Sequence, residues 1–276
     1  MVAAECLGAL PRGDWTVSGV TSQQSDLAEY FYPDRNDDIT TTMINALSDF
    51  QRWTDQEQRV ILALAQRILE LPTPRRMLDL GAGLGRLAVQ LAPYCERGRL
   101  VEPDDHRRAG LTKGCRAIGL PASRFGVAGH WPDGDVDDQY DVVLVSHVFQ
   151  HVTETTVMSI LTDVSAHLRP GGLLYVATCF EGAAEESYTL NRFDARRTWE
   201  EAAIDRDTFE RLAGASAAGQ LPVHFFTRER LVSMIEGNGF TVTDVLPFHA
   251  LFDASGEPAG FRDVAVIAER RLEGGR

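Results

Sequence analysis

The sequence predicts an α/β fold built on a doubly wound, mostly parallel sheet, and three observations carry that prediction. From Arg76 to Cys179, short apolar runs alternate with amphipathic stretches, the pattern of parallel strands joined by right-handed helical crossovers. Within this region, Tyr140–Ser146 is apolar on both faces until it reaches the polar atoms of Ser146, His147, Gln150 and His151, as a central strand covered on both sides should end. At its start, MLDLGAGLGRLAVQLAPYCERGRLVE (residues 77 to 102) reads as a strand, a glycine turn, a helix and a second strand ending in a carboxylate.

The elements follow in order. Residues 1 to 54 form an N-terminal cap segment with aromatics at Trp15, Tyr30, Phe31, Tyr32, Phe50 and Trp53. Asp55 is positioned to cap a helix running to Leu71, whose apolar face is Val60, Leu62, Leu64, Ile68 and Leu69, and Pro72 and Pro74 stop it. Strands are expected at Arg76–Leu80, Arg99–Glu102, Ser123–Ala128, Tyr140–Ser146 and Leu173–Cys179. Helices are expected at Arg86–Ala92, near Arg107–Ala117, and at Glu154–Leu168, with LRPGG (168 to 172) turning the chain into the fifth strand. The alternation then fails over residues 180 to 222, which are polar and helical in places. It returns in FFTRERLVSMIEGNGF, a helix with Thr227 as cap and Gly237 and Gly239 as stop. TVTDVLPFH and FRDVAVIAERR read as two closing strands.

Composition narrows the class. The 276 residues suit one α/β domain with additions, and 44% hydrophobic and 24% charged residues are ordinary for a globular chain. A net charge of −13 leaves no global basic field to attract nucleic acid, and no apolar run reaches the length of a membrane span. The N-terminus lacks the basic region of a signal peptide, so a cytoplasmic location is expected. Cys6, Cys95, Cys115 and Cys179 are scattered without metal-ligand spacing and are read as small buried hydrophobes, with no metal expected. Lys113 is the only lysine, a mark of a GC-rich genome.

The glycine turn carries the chemistry. Gly81, Gly83 and Gly85 let the backbone approach a ligand where a Cβ would collide, the following helix offers free N–H groups, and Glu102 is placed to accept hydrogen bonds from two ribose hydroxyls. The spacing is G-x-G-x-G with Arg86 next, rather than the dinucleotide G-x-G-x-x-G. With Asp79 before the turn and Glu102 21 residues after Gly81, it resembles motif I of the class I S-adenosylmethionine methyltransferases. The resemblance is strong over Met77–Cys179 and loose over Phe225–Arg271. It implies S-adenosyl-L-methionine as cofactor and a seven-stranded sheet completed by a closing helix and a β-hairpin. Residues 55 to 276 then form the methyltransferase domain, preceded by an N-terminal helical cap and carrying a lid insert (180 to 222) before the sixth strand.

In such sheets the ligand lies beyond the carboxyl ends of the strands. The expected cofactor residues are therefore strand tips: Asp79, Gly81, Ala82, Gly83, Gly85 and Arg86; Glu102 and Pro103; Gly129, His130 and Trp131; and Ser146. Arg86 is expected to meet the methionine carboxylate bidentately. By the resemblance, the third tip flanks the adenine. The acid that many members carry there is missing, and backbone groups and the Trp131 ring are left to take its place. GAGLGR, YDVVLVSHVFQHVTETTV and LRPGG together are similar to the protein α-N-terminal methyltransferases, which carry a histidine matching His151 and an acid at a position that is Thr178 in this chain.

His147 and His151 are the candidate bases, since an amine must lose a proton before it attacks and a hydroxyl needs help with its own. The acceptor pocket is expected from Tyr30–Tyr32 and the 180 to 222 insert, with the acid-rich pieces Asp34–Asp38, Glu181–Glu186 and Glu200–Asp207 suited to a cationic amine. The expectation is methyl transfer to an amine of a small molecule or short peptide, in the manner of a bacterial tailoring enzyme of secondary metabolism. O-methyl transfer, a nicotinamide-dependent oxidoreductase and a catalytically silent S-adenosylmethionine-binding protein remain as alternatives.

Overall fold

The computed structural model describes residues 50–131, 139–180, 185–193, 199–213, 220–252 and 255–272. Most of the expected N-terminal cap, including Tyr30–Tyr32 and Asp34–Asp38, lies outside the described residues, as does Cys6.

The chain runs α1 (Phe50–Glu70), β1 (Arg76–Leu80), α2 (Arg86–Leu91), β2 (Arg97–Val101), α3 (Asp105–Ala117), β3 (Phe125–Ala128), β4 (Tyr140–Ser146), α4 (Glu154–His167) and β5 (Leu168–Cys179). It continues through β6 (Ser187–Phe193), β7 (Trp199–Ala203), α5 (Arg206–Ala213), β8 (Gln220–Phe225), α6 (Arg228–Gly237), β9 (Phe240–Phe252) and β10 (Pro258–Arg270). Seven strands form one sheet in the order β3-β2-β1-β4-β5-β10-β9. The first five are parallel, and β10 runs antiparallel between β5 and β9.

Strand alternation divides the core into two layers. Met77, Leu144, Tyr175, Ala177 and Ile267 face α1, α2 and α3, where Leu64, Ile68, Leu91 and Leu111 cover them. Leu78, Val143, Val145, Val176 and Val266 face α4 and α6, where Leu161, Val164, Leu231 and Ile235 do the same. Each fully buried aliphatic side chain contributes about 2 kcal/mol of transfer free energy, and this fixes which face of each strand points which way. Among the described residues, no helix is long and apolar enough to cross a membrane.

Two expectations are corrected and a third is extended. Asp55 does not cap α1, because the helix already runs at Phe50. LRPGG is not a turn: β5 begins at Leu168, which pairs with Tyr140, and a register shift before the Val142–Leu173 pair absorbs Pro170 and the glycines. The 180 to 222 insert is helical in one place, at α5, as the sequence predicts, but it also carries strands that the sequence reading does not place. It holds a three-stranded antiparallel sheet, β7-β6-β8, with α5 against it. This small sheet is fastened to the main one by Phe226 N–H donating to Cys179 O (3.2 Å), next to a β-bridge that pairs Phe180 with Phe226. Inside it, His224 lies between the rings of Tyr188 and Phe226, with centroids 4.5 and 3.8 Å away. Burial, aided by the charge of Arg206, pushes the His224 pKa down to about 3, which favours a neutral ring even with Glu186 Oε1 3.2 Å from its Nε2. The other elements stand where the sequence places them, to within a few residues at their ends, and Thr227 caps α6 through its hydroxyl.

Candidate active site

Register aligns four strand tips. Leu80 pairs with Val101 and Val145, and Val101 pairs with Ala128, so the next residue on each strand lies along a single edge. Those residues are Gly81, Glu102, Gly129 and Ser146, all four anticipated from sequence.

The turn after β1 is held by backbone bonds. Gly81 and Ala82 both donate to Val101 O, each at 2.9 Å, and Gly83 donates to Glu102 Oε2 at 2.8 Å. Glu102 is 3% exposed and also accepts from Asp104 N–H at 3.0 Å. Arg107 Nη1 stands 3.6 Å from the same carboxylate. Two backbone donors occupy two of the roughly four lone-pair positions a carboxylate offers, leaving acceptor capacity for a diol. Ser146 Oγ, next along the edge, is buried with no hydrogen-bond partner among the described residues. These features fit an adenosyl cofactor: a fixed anionic acceptor, an orphaned hydroxyl and a backbone turn without side chains.

The glycines have a second reason. The sequence reading gave their open space to a ligand, whereas the protein's own side chains fill it. A Cβ on Gly81 would lie 2.4 Å from Val148 Cγ2, and one on Gly83 would lie 2.7 Å from Arg107 Nη2. Arg107 reaches the turn because Asp104 caps α3 by accepting from its N–H at 2.8 Å, which fixes where the first helical turn begins. Arg108 joins the second tip to the third. It donates to Glu102 O (2.8 Å) and Pro103 O (2.9 Å), and its guanidinium covers the Cα of Gly129. Neither arginine was anticipated. Their one sequence signal is their place three and four residues after a capping aspartate.

Arg86, in the first turn of α2, pairs with Glu57 of α1, a buried carboxylate. The guanidinium expected to meet a ligand carboxylate thus already has a protein one. Trp131 packs edge-on against His167, with centroids 5.0 Å apart, and its flank lies against the α4 layer. His130 is exposed.

The two candidate bases carry their protons on opposite nitrogens. A carbonyl only accepts, so the 2.9 Å contact from His151 Nδ1 to Pro222 O puts a proton on Nδ1, and in the neutral ring the lone pair is then on Nε2. His147 Nδ1 instead faces Gln150 Nε2 at 3.1 Å. Gln150 Oε1 accepts from Thr178 Oγ1 (3.0 Å) and from Cys179 N–H (3.3 Å), so its amide is oriented and His147 Nδ1 is an acceptor. Cys95, Cys115 and Cys179 are buried free thiols.

Asp79 is 2% exposed, and burial raises its pKa from 3.8 to about 7, with Arg86 opposing and Glu102 adding to the rise. The sign follows by linkage. Between those pH values the folded chain holds a proton that the unfolded chain has released, so this group's contribution to stability is complete below pH 3.8 and is lost as pH rises through about 7. Asp79→Asn is therefore expected to flatten the pH dependence of the thermal midpoint between pH 5 and 8, by an amount on the order of 3 kcal/mol at most, and to be more stable than the parent at pH 8. Calorimetry of both proteins at the two pH values checks this; parallel pH profiles would refute it.

Residues 52–245 match the model of a methyltransferase domain. Over 164 residues the chain is 31% identical to the biotin biosynthesis bifunctional protein BioCD of Bordetella avium (strain 197N), a stretch covering 57% of this chain and 32% of that protein. The chain thus spans less than two thirds of that relative. Among solved structures, the glycopeptide N-methyltransferase MtfA complexed with S-adenosyl-L-methionine aligns with a TM-score of 0.51 and 19% identity, over 76% of this chain and 87% of that one. The 1,6-didemethyltoxoflavin-N1-methyltransferase of Burkholderia thailandensis, with its substrate and S-adenosylhomocysteine bound, aligns with a TM-score of 0.52 and 18% identity, over 89% and 93%. At these identities the structural likeness establishes the fold.

Proposed function

The chain belongs to the methyltransferase-domain family, in its class I, S-adenosylmethionine-dependent form, and on that premise we propose that it moves a methyl group to an amine of a small molecule or short peptide. The observation that carries the reading is Glu102, a buried carboxylate at the tip of β2, oriented by the Gly83 and Asp104 N–H groups and facing the glycine turn. The antiparallel placement of β10 between β5 and β9 supports it over a nicotinamide site, as does the tight glycine spacing.

When bound, S-adenosylmethionine supplies a methyl group on a positively charged sulfur. The chain's residues bind, align and exclude water. In this reading Glu102 accepts the ribose hydroxyls, with Pro103 beside it. Asp79, Gly81, Ala82, Gly83, Gly85 and Arg86 surround the methionine end, Ser146 offers its hydroxyl, and Gly129, His130 and Trp131 flank the base. His151 is the candidate base, because its Nδ1–H is committed to Pro222 O and its lone pair lies on Nε2. That bond also ties the base to β8, so the small sheet acts as a lid that sets the ring's direction. The acidic stretches of the lid support nitrogen over oxygen as the acceptor atom, and so do the N-methyltransferases among its structural neighbours. The lysine-poor composition and the elaborate lid support a bacterial tailoring role. Unpaired thiols support a cytoplasmic one.

Titration calorimetry with S-adenosylhomocysteine, S-adenosylmethionine and NAD tests the premise. One bound S-adenosyl nucleoside per chain and no heat from NAD is the expected result; binding of NAD alone would overturn the reading.

A further inference from the structure

A second group of polar side chains collects at the same edge, further along the sheet. His147 follows β4, Cys179 ends β5, and Asp263 lies opposite Cys179 in β10. Ligand-type atoms of all three lie within 4.8 Å of one another. His249 of β9 adds a hydrogen bond from Nδ1 to Asp263 Oδ2.

Regular strands would bring neither histidine here. Asp263 shares a face with its partner Phe248, so the next residue, His249, belongs on the other face. Ser146 pairs with Ala177 and shares a face with it and Cys179, so His147 also belongs on the other face. Both are turned back by left-handed backbone, with φ of 55 at His147 and 56 at His249, and among the described residues these are the only non-glycine positions with positive φ. Two side chains held at conformations unfavourable for an L-residue converge on one carboxylate, which marks a site rather than ordinary packing.

Asp263 is 3% exposed. Its Oδ1 is buried with no hydrogen-bond partner among the described residues. Burial alone would raise its pKa, but the His249 hydrogen bond, the two imidazoles and Arg262 outweigh it and hold the carboxyl below its ordinary value. Glu57 of α1 adds its charge at His249. The group is not arranged as a metal centre. A metal-bound imidazole donates through its second nitrogen, whereas His147 accepts at Nδ1 from the oriented Gln150 amide and so carries its proton on Nε2. The Cys179 thiol is pushed well above its ordinary range by burial and by Asp263, whose charge and hydrogen bond with the thiol both favour the protonated form. What remains is a buried anion with an unfilled acceptor. Within the group His147 is the partly exposed member, and the next residue, Val148, packs against the turn at Gly81.

We propose that Asp263 is the subsite for the acceptor nitrogen, its Oδ1 receiving an N–H of a cationic amine while His249 serves as the positioning residue that fixes the carboxylate. This rests on the methyltransferase reading and names its substrate class: an amine that enters protonated, in preference to a phenol or a carboxylic acid. A desolvated carboxylate rewards a cation and repels an anion.

Sinefungin tests this without knowledge of the acceptor, because it carries a protonated amine where S-adenosylmethionine carries its sulfonium methyl. Affinities of sinefungin and S-adenosylhomocysteine are measured by calorimetry on the full chain. Sinefungin is expected to bind at least about tenfold more tightly, and Asp263→Asn is expected to remove most of that advantage while S-adenosylhomocysteine affinity stays within about twofold. His249→Gly, where glycine accepts the left-handed backbone without strain, is expected to reduce the same ratio by about threefold, again with S-adenosylhomocysteine unaffected. A merely structural role would move both ligands together or neither. An unchanged ratio in Asp263→Asn overturns the subsite, and an unchanged ratio in His249→Gly overturns the positioning role. If Asp263→Asn does not fold, a crystal structure of the parent with sinefungin decides: a carboxylate within about 5 Å of the amine supports the subsite, and one turned away overturns it. A parent protein that binds neither nucleoside refutes the cofactor reading itself, and the subsite falls with it.

Discussion

Glu102→Ala is expected to weaken S-adenosylmethionine binding by about 100- to 10,000-fold, since the carboxylate would make two charge-assisted hydrogen bonds to the ribose at about 1.5–3 kcal/mol each. The same change reaches the fold. Glu102 accepts from Gly83 N–H and Asp104 N–H and faces Arg107, so alanine leaves two backbone donors without their acceptor and removes a buried charge opposite Arg107. A loss of about 2–4 kcal/mol in unliganded stability should accompany the binding defect. Glu102→Gln separates the two effects, because one amide oxygen still accepts from the turn while the charge is gone; its stability should lie near the parent and its affinity between the two. Calorimetric affinity together with denaturant unfolding measures both quantities. Affinity in Glu102→Ala within about threefold of the parent would remove the ribose contact, and with it the main support for the site.

The legible part of this protein is its local part. The strand, turn and helix from Met77 to Glu102 could be read because period and turn chemistry are written within a few residues, and register then placed Gly81, Glu102, Gly129 and Ser146 on one edge as expected. The closing hairpin was legible for the same reason. The misread elements are those settled at long range. Pro170, Gly171 and Gly172 look like a turn, yet β5 continues through them because Tyr140 supplies a partner for Leu168. The small sheet shows no clean alternation because buried Asn191 and His224 sit at positions that a strand pattern reserves for apolar groups. Asp263 and His249 gave no signal at all. An aspartate within FRDVAVIAE reads as a solvent-facing strand residue, and a histidine beside Phe248 reads as an alternating polar one. Only the left-handed backbone at His249 turns its ring toward the carboxylate, and φ is not visible in residue identity. The glycines are read as positions where a ligand approaches the backbone; at Gly81 and Gly83 the protein groups that approach are Val148 and Arg107, which a sequence pattern does not specify.

That last point gives the largest expected effect on the fold. Gly81→Val should abolish cofactor binding and cost the fold about 2–6 kcal/mol, for two reasons that add. The position has φ of 71, in the left-handed region where a β-branched residue is strained by about 1–3 kcal/mol. Its Cβ would lie 2.4 Å from Val148 Cγ2, and Val148 cannot rotate away, because it is β-branched and packs against the layer of Val145, Phe149 and Val157. Overpacking of that kind costs a further 1–3 kcal/mol or so, and the sum is a large share of the roughly 5–15 kcal/mol that holds a domain folded. Gly119 provides the control that separates the two reasons. It has nearly the same backbone, φ of 74, but nothing within 4 Å of where a Cβ would stand. Gly119→Ala should thus cost about 1 kcal/mol from backbone strain alone, while Gly81→Ala should cost about 3 kcal/mol or more. Equal losses at the two sites would mean that conformation alone explains the glycine, and that Val148 yields. A much larger loss at Gly81 would show that the first glycine of the turn is required by the packing of the β4 tip against it, which is also what holds His147, one residue earlier, at the cofactor's edge.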